Sequence, residues 1–143
     1  MTFWRLHYHL VWATLEREPV LVADREKMFY GVLYGKGREL GLIVHAAGNV
    51  EDHVHIVVSI PPKLAVAECV RQIKGASAFA INHMPGGNGS FQWQGGYGAL
   101  SVDERSLPAV MAYANNQKEH HRMDRCVPIY EKSDDEDGAS GEK

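Results

Sequence analysis

From Phe3 to Thr14 apolar and polar side chains alternate, and the run is rich in aromatic and branched residues, the pattern of a strand. Glu16, Glu18 and Pro19 mark a loop after it. From Asp24 the period changes. Met28, Phe29, Val32, Leu33 and Leu40 recur at helical spacing, with Asp24 as the expected cap and Gly41 as the stop. Leu42 to Val50 and His53 to Ile60 read as two further strands, joined by the short turn Glu51-Asp52 into an antiparallel hairpin. Pro61-Pro62 ends that segment, and Val66, Val70, Ile73 and Ala80 then share one face of a second helix reaching about Met84. Pro85-Gly86-Gly87-Asn88-Gly89 is a loop. Phe91 to Val102, interrupted by Gly95, Gly96 and Gly98, reads as a bent strand or a hairpin. A last helix is expected from about Ser106 to Met123, with Pro108 in its first turn and Leu107, Val110, Met111 and Ala114 as its core stripe.

The resulting order, β-α-β-β-α-β-α, predicts an α+β fold. Its form is a ferredoxin-like or RRM-like sandwich, an antiparallel sheet with helices packed on one side. With 143 residues, 45% of them hydrophobic, the chain is large enough for one domain with a real core. Two parts are expected, a catalytic or binding domain over 1–130 and a disordered acidic tail over 131–143. The tail changes the meaning of the net charge of −3. It holds six of the 18 acids and two of the 15 bases, so the rest of the chain carries 12 acids and 13 bases and is close to neutral. Charge alone therefore predicts no tight non-specific DNA binding, and a nucleic-acid partner has to be held by a local patch. Cys69 and Cys126 fit no zinc spacing and suit a reducing cytoplasm, where neither is expected to do chemistry. No apolar run reaches the ~18 residues of a membrane span, and no secretory leader is visible, so a cytoplasmic protein is expected.

Several residues can carry chemistry. On a strand, His53 and His55 point to the same face, where two imidazoles can converge on one metal ion while Val54 points into the core. Taken alone, the pair also fits two unrelated histidines on a solvent-facing strand. Tyr113 and Gln117 are neighbours one helical turn apart, and His120 continues their stripe. Taken alone, they also fit the edge of an ordinary amphipathic helix. Trp93 and Tyr97 lie among glycines that let a backbone or ligand come close, and their rings can stack on bases or fill the core. Lys74, with Arg71 three residues before it, can contact phosphate or simply lie in solvent. His7 and His9 form a second alternating pair with no evident partner and read as a strand face or a DNA-side surface. His45 reads as a hydrogen-bonded strand histidine, and His120-His121 either line a site or are exposed.

Together these blocks resemble the single-tyrosine HUH transposases of small bacterial and archaeal insertion sequences, which include the REP-associated tyrosine transposases. The resemblance runs from Tyr8-His9-Leu10-Val11-Trp12-Ala13-Thr14 through Asp52-His53-Val54-His55, Ile73-Lys74-Gly75 and Trp93–Ala99 to Tyr113-Ala114-Asn115-Asn116-Gln117 and His120-His121. It implies that Tyr113 is the nucleophile and that His53, His55 and Gln117 hold a divalent ion, Mg²⁺ or Mn²⁺. Asp52 and His120 would support those residues from behind. Lys74, Arg71, Trp93 and Tyr97 would contact DNA. The implied activity is cleavage and rejoining of single-stranded DNA at insertion-sequence ends through a 5′-phosphotyrosine intermediate. The implied partners are single-stranded DNA carrying a hairpin and a second copy of the chain, a homodimer whose active site can be shared between subunits.

This sequence departs from the family pattern in the mixed charge of Leu15-Glu16-Arg17-Glu18, in Asp103 and Glu104, and in the acidic tail, all of which bear on DNA affinity. The competing readings are a non-catalytic RRM-like nucleic-acid-binding module and a domesticated transposase. A replication initiator of the same chemistry is disfavoured because those tend to carry lysine where Gln117 stands. No general base for the tyrosine can be named from the sequence.

Overall fold

The structure is a computed structural model that describes residues 1–123 and 126–133. The elements run β1 (His7–Ala13), α1 (Asp24–Leu40), β2 (Ile43–Val50), β3 (His53–Ser59), α2 (Val66–His83), β4 (Gly98–Val102), α3 (Leu107–Asn115), α4 (Gln117–Arg122) and α5 (Pro128–Glu131). The strands form one sheet in the order β2-β3-β1-β4, every neighbouring pair antiparallel. This is the expected ferredoxin-like α+β sandwich.

Alternation along the two central strands divides the sheet into two chemically different faces. Leu10 and Trp12 of β1 join Val54, Ile56 and Val58 of β3 against Phe29 and Leu33 of α1 and Val70, Ile73 and Ile81 of α2. Each fully buried aliphatic side chain there contributes roughly 1.5–3 kcal/mol, so this layer supplies most of the driving force for folding. His7, His9, His53 and His55 project from the opposite face, as the register Val11↔His55 and His9↔Val57 requires. The helices of the one-sided layer are α1 and α2. The later helix α3 lies across the histidine face, on a smaller cluster of Ala46, Val57, Val102, Val110 and Ala114. That second layer leaves every residue of β3 buried.

Local details differ from the sequence reading at four places. The first strand begins at His7, not Phe3, because only from His7 onward do both β3 and β4 offer partners. Asp24 is the first helical residue and not the cap; Ala23 holds that position and makes no side-chain cap bond. The Phe91–Val102 stretch keeps regular pairing only over Gly98–Val102, with Trp93 making one isolated bridge to Thr14. The last helix breaks at Asn116 (φ −105°, ψ 31°), whose side-chain amide donates to the Ala112 carbonyl at 2.8 Å and competes with the helical ladder.

Gly41 ends α1 as expected, in the left-handed region (φ 76°). The Leu42 N–H closes the turn on the Gly37 carbonyl at 2.8 Å. A side chain at this φ is strained even though open space surrounds the position. Gly41→Ala is expected to lower stability by about 1 kcal/mol, read as a lower urea midpoint at unchanged slope. An unchanged midpoint would show that α1 ends without this conformation.

Among the described residues, no helix is long and apolar enough to cross a membrane. Glu131, Lys132 and Ser133, the first residues of the expected tail, are described; residues 134–143 of that tail lie outside the described residues.

Candidate active site

The histidine face is built by register. Gly48 of β2 and Val11 of β1 flank His55, and Val50 and Ala13 flank His53, so both imidazoles rise from the middle of the sheet. Above them, α3 comes unusually close to β2. A Cβ on Gly48 would sit 1.8 Å from the Ala114 carbonyl oxygen, so only glycine permits this approach. The contact brings Tyr113 over the histidines: its ring centroid is 5.8 Å from that of His55 and 6.3 Å from that of His9. Tyr113 is only 6% exposed, yet its hydroxyl meets Glu131, the carboxylate that also meets both imidazoles.

One carboxylate joins these groups. Glu131 Oε1 lies 2.9 Å from His53 Nε2 and 3.2 Å from His55 Nε2, while Oε2 accepts the Tyr113 hydroxyl. The same phenolic oxygen accepts the Val127 N–H at 2.8 Å, which ties the C-terminal segment to the site. His121 Nε2 is 3.3 Å from the shared Oε1. Asp52 Oδ1 is 2.6 Å from His53 Nδ1, and His9 Nε2 is 2.9 Å from His55 Nδ1.

Protonation follows from this network. Burial works against a charged His53, but hydrogen bonds to Asp52 and Glu131 outweigh it and raise the ring's pKa. Asp52, bonded to His53, is held below the ordinary carboxylate range. His55 is lowered, chiefly by burial. His9 is lowered to about 4, by burial first and by His55 second. His9 Nε2 and His55 Nδ1 share one hydrogen bond, and His9 Nδ1 is buried without a partner. Burial favours a neutral Glu131, yet its bonds to His53 and His55, with the Tyr113 hydroxyl adding to them, hold the carboxyl well below the usual range. The Tyr113 phenol is raised, mostly by burial and then by its bond to Glu131.

The donor set suits a divalent cation. His53, His55, His121 and Glu131 each offer a ligand atom, all within 4.8 Å of one another. Gln117, 1% exposed, is held by its amide N–H to the Tyr113 carbonyl at 3.0 Å, and its Oε1 is buried with no hydrogen-bond partner. A buried carboxamide oxygen with no partner is costly unless something binds it. A cavity of about 420 Å³ opens beside this cluster, lined in part by Arg17, His53, His121 and Glu131.

The structure thus brings together Tyr113, His53, His55, Asp52 and His120, the last stacked on the Tyr113 ring at 4.5 Å. Gln117 lies beside them, its Cγ 3.4 Å from the position a Gly48 Cβ would take. The expected DNA contacts lie elsewhere. Lys74 Nζ donates to the Gln94 and Gly96 carbonyls at 2.7 and 3.0 Å, and Arg71 is paired with Glu68 on the same helix. With Tyr97 they line one groove on the α2 layer. Trp93 packs edge-on against Trp12, Phe29 and Phe91 and donates to Ser77, a core role. The close backbone approach expected in this glycine-rich stretch occurs at Gly98, where a Cβ would meet the Lys132 carbonyl at 2.0 Å. The other histidine pair forms a separate cluster: His7 Nδ1 and His45 Nε2 both reach the Ser59 hydroxyl at 2.6 Å. Burial pushes the Cys69 thiol up to about 11, which suits a structural role.

Sequence reasoning missed Glu131, His9 and part of the role of His121. Composition groups Glu131 with the acidic tail, whereas the structure places it at the end of α5. The signal available was the apolar island Val127-Pro128-Ile129-Tyr130 directly before it, with proline at the first position of a helical turn.

With this geometry in view, residues 2–117 match the family model described as "Transposase IS200 like". The ISDra2 transposase TnpA of Deinococcus radiodurans is 30% identical over 122 residues, spanning 80% of this chain and 85% of that protein. The transposase for insertion sequence element IS200 of Salmonella typhimurium is 24% identical over 134 residues, spanning 90% of this chain and 87% of that one. A solved REP-associated tyrosine transposase bound to a REP hairpin has the same fold, with a TM-score of 0.63 over 100% of this chain and 98% of that one at 16% identity.

Proposed function

The chain belongs to the IS200-like transposase family, and from that premise we propose that it cleaves and rejoins single-stranded DNA through a covalent bond between Tyr113 and a 5′-phosphate, with a divalent ion, Mg²⁺ or Mn²⁺, held by His53, His55 and Gln117. One observation carries the reading: the Tyr113 hydroxyl and the Nε2 atoms of both histidines converge on a single carboxylate. A non-catalytic binding module has no use for that convergence.

The phenolic oxygen of Tyr113 attacks the scissile phosphorus as the bond from phosphorus to the 3′-oxygen breaks. The phenol releases its proton to solvent, and the departing 3′-oxygen takes one up from solvent to become a hydroxyl. Glu131 Oε2, too weak a base to keep that proton, accepts the phenolic hydrogen bond and orients the attacking oxygen. The phosphotyrosine bond keeps the energy of the original phosphodiester, so attack by another 3′-hydroxyl restores DNA and the phenol without a nucleotide cofactor. When bound, a divalent ion would supply positive charge to the scissile phosphate and offset the carboxylate's upward pull on the phenol's pKa. Asp52 fixes the His53 ring by holding Nδ1–H, which turns Nε2 toward the centre. His120 supports the Tyr113 ring from its face.

The Tyr113 ring lies over histidines of its own chain, which supports a site assembled within each subunit of the proposed homodimer over one shared between subunits. Hairpin DNA is the proposed partner, supported by the fold shared with a hairpin-bound transposase. The groove of Lys74, Arg71 and Tyr97 is assigned to its phosphates.

The test uses single-stranded oligonucleotides taken from the DNA flanking this chain's coding sequence and containing its hairpins. Wild type with Mg²⁺ or Mn²⁺ is expected to give a protein–DNA band stable to denaturant. EDTA abolishes the band and added metal restores it. Adduct formation that ignores EDTA would remove the ion from the reaction. Hairpin binding without any adduct, with or without metal, would leave only a binding module.

A further inference from the structure

We propose that the cation site of this chain is completed by Glu131 and His121 beside His53, His55 and Gln117, so that three imidazoles and one carboxylate join the Gln117 amide oxygen in a set that selects a transition ion such as Mn²⁺ or Zn²⁺ over Mg²⁺. The inference rests on the metal-assisted reading above and goes beyond it in naming donors from the C-terminal segment and the class of ion they prefer.

Three observations support it. The first is spacing. Two donors each about 2.1 Å from one ion, at right angles to each other, stand about 3.0 Å apart. Glu131 Oε1 lies 2.9, 3.2 and 3.3 Å from the Nε2 atoms of His53, His55 and His121. Each of the three nitrogens therefore stands close to the separation from Oε1 that shared coordination demands, and all four donor atoms lie within 4.8 Å of one another. The second is an unmet bonding need. His121 Nε2 is buried and, despite its nearness to Glu131, makes no hydrogen bond. The third is orientation from behind. Asp52 holds His53 Nδ1 and His9 holds His55 Nδ1, so both rings present Nε2 to the same point.

The chemistry of the set then decides the ion. Mg²⁺ prefers oxygen ligands and keeps its water, whereas imidazole nitrogen suits first-row transition ions. Three imidazoles beside one carboxylate oxygen and one amide oxygen therefore disfavour Mg²⁺. The carboxylate also joins ion and nucleophile, since its other oxygen accepts the Tyr113 hydroxyl.

The experiment is calorimetric titration of the full chain, without DNA, by Mn²⁺ and separately by Mg²⁺. Wild type is expected to take up one Mn²⁺ at least about 100-fold more tightly than Mg²⁺. Glu131→Gln and His121→Ala should each weaken Mn²⁺ at least about tenfold, and His55→Ala should abolish its uptake. If Glu131→Gln or His121→Ala binds as wild type does while His55→Ala fails, that residue is no ligand and the inference is overturned, with the metal-assisted reading intact. Undiminished binding by His55→Ala sinks both. Equal affinity for Mg²⁺ and Mn²⁺ overturns the selectivity. A readout on the unaltered protein guards against variants that merely disturb α5. Zn²⁺ titration followed by the histidine ring nitrogens in NMR must shift His121 Nε2 together with those of His53 and His55. A His121 ring that stays put removes it from the set.

Discussion

Tyr113→Phe yields a folded protein that binds hairpin DNA and forms no covalent adduct with it. The substitution deletes one oxygen and keeps the ring that packs against His120, His55 and Tyr130. What is lost to folding is the pair of hydrogen bonds at that oxygen, one given to Glu131 and one accepted from the Val127 N–H. Leaving both partners unsatisfied costs about 1–3 kcal/mol, within the margin of a typical domain. What is lost to chemistry is complete, because the hydroxyl that meets the carboxylate shared by both imidazoles is gone. The Ser59 hydroxyl is engaged by His7 and His45 at the far end of the strand. The measurement is a denaturing gel of protein with labelled single-stranded oligonucleotide, beside a melting curve. Adduct of wild-type yield in the variant would take the nucleophile's role from Tyr113. Loss of hairpin binding together with adduct would mean that the substitution damages the fold and not one step.

Gly48→Ala, a single added methyl, should be among the most damaging surface-distant changes in the chain. The new Cβ would sit 1.8 Å from the Ala114 carbonyl oxygen and 2.9 Å from its carbon. These are backbone atoms of a helix and cannot swing aside as a flexible side chain can. Either β2 or α3 has to move, and α3 carries Tyr113 while Gln117 follows directly after it. Overpacking of this kind costs about 3 kcal/mol, a fall in melting temperature of roughly 10 °C for a domain of this size. Adduct yield should fall further than stability alone explains, since the phenol is displaced from the imidazoles even in molecules that remain folded. Gly31→Ala is the matched control. Gly31 lies within α1, nothing lies within 4 Å of its would-be Cβ, and the change should be neutral or stabilising by roughly 0.5–1 kcal/mol. If Gly48→Ala melts and reacts like wild type, α3 does not rest on β2 as described.

Much of this was legible in the chain because it is written in local periods. The alternation through His53-Val54-His55 places two imidazoles on one face whatever lies opposite, and β3 shows that placement. Gly41 stops α1 for a reason internal to one residue, its lack of a Cβ. The four-residue step from Tyr113 to Gln117 survives the break at Asn116, since one turn still separates them and the amide still reaches the Tyr113 carbonyl. Where local pattern competes with tertiary context, it was less decisive. The aromatic and glycine mixture around Trp93 is equally suited to stacking on bases and to filling a core, and the indole is found among Trp12, Phe29 and Phe91.

The sequence by itself determined the element order, the sandwich, the two-histidine face and the helix that carries the tyrosine, because each depends on contacts within a few residues or on a repeat of two or 3.6. Only the tertiary structure decided which distant groups meet there. Glu131 belongs by composition to an acidic stretch, yet it lies 78 residues from His53 along the chain and 2.9 Å from it in space. That meeting depends on Gly98 letting the Lys132 backbone come close and on Gly48 letting α3 descend onto the sheet. No periodicity encodes a contact of that range, since it arises from the packing of whole layers and from the two places where a missing Cβ lets backbones approach.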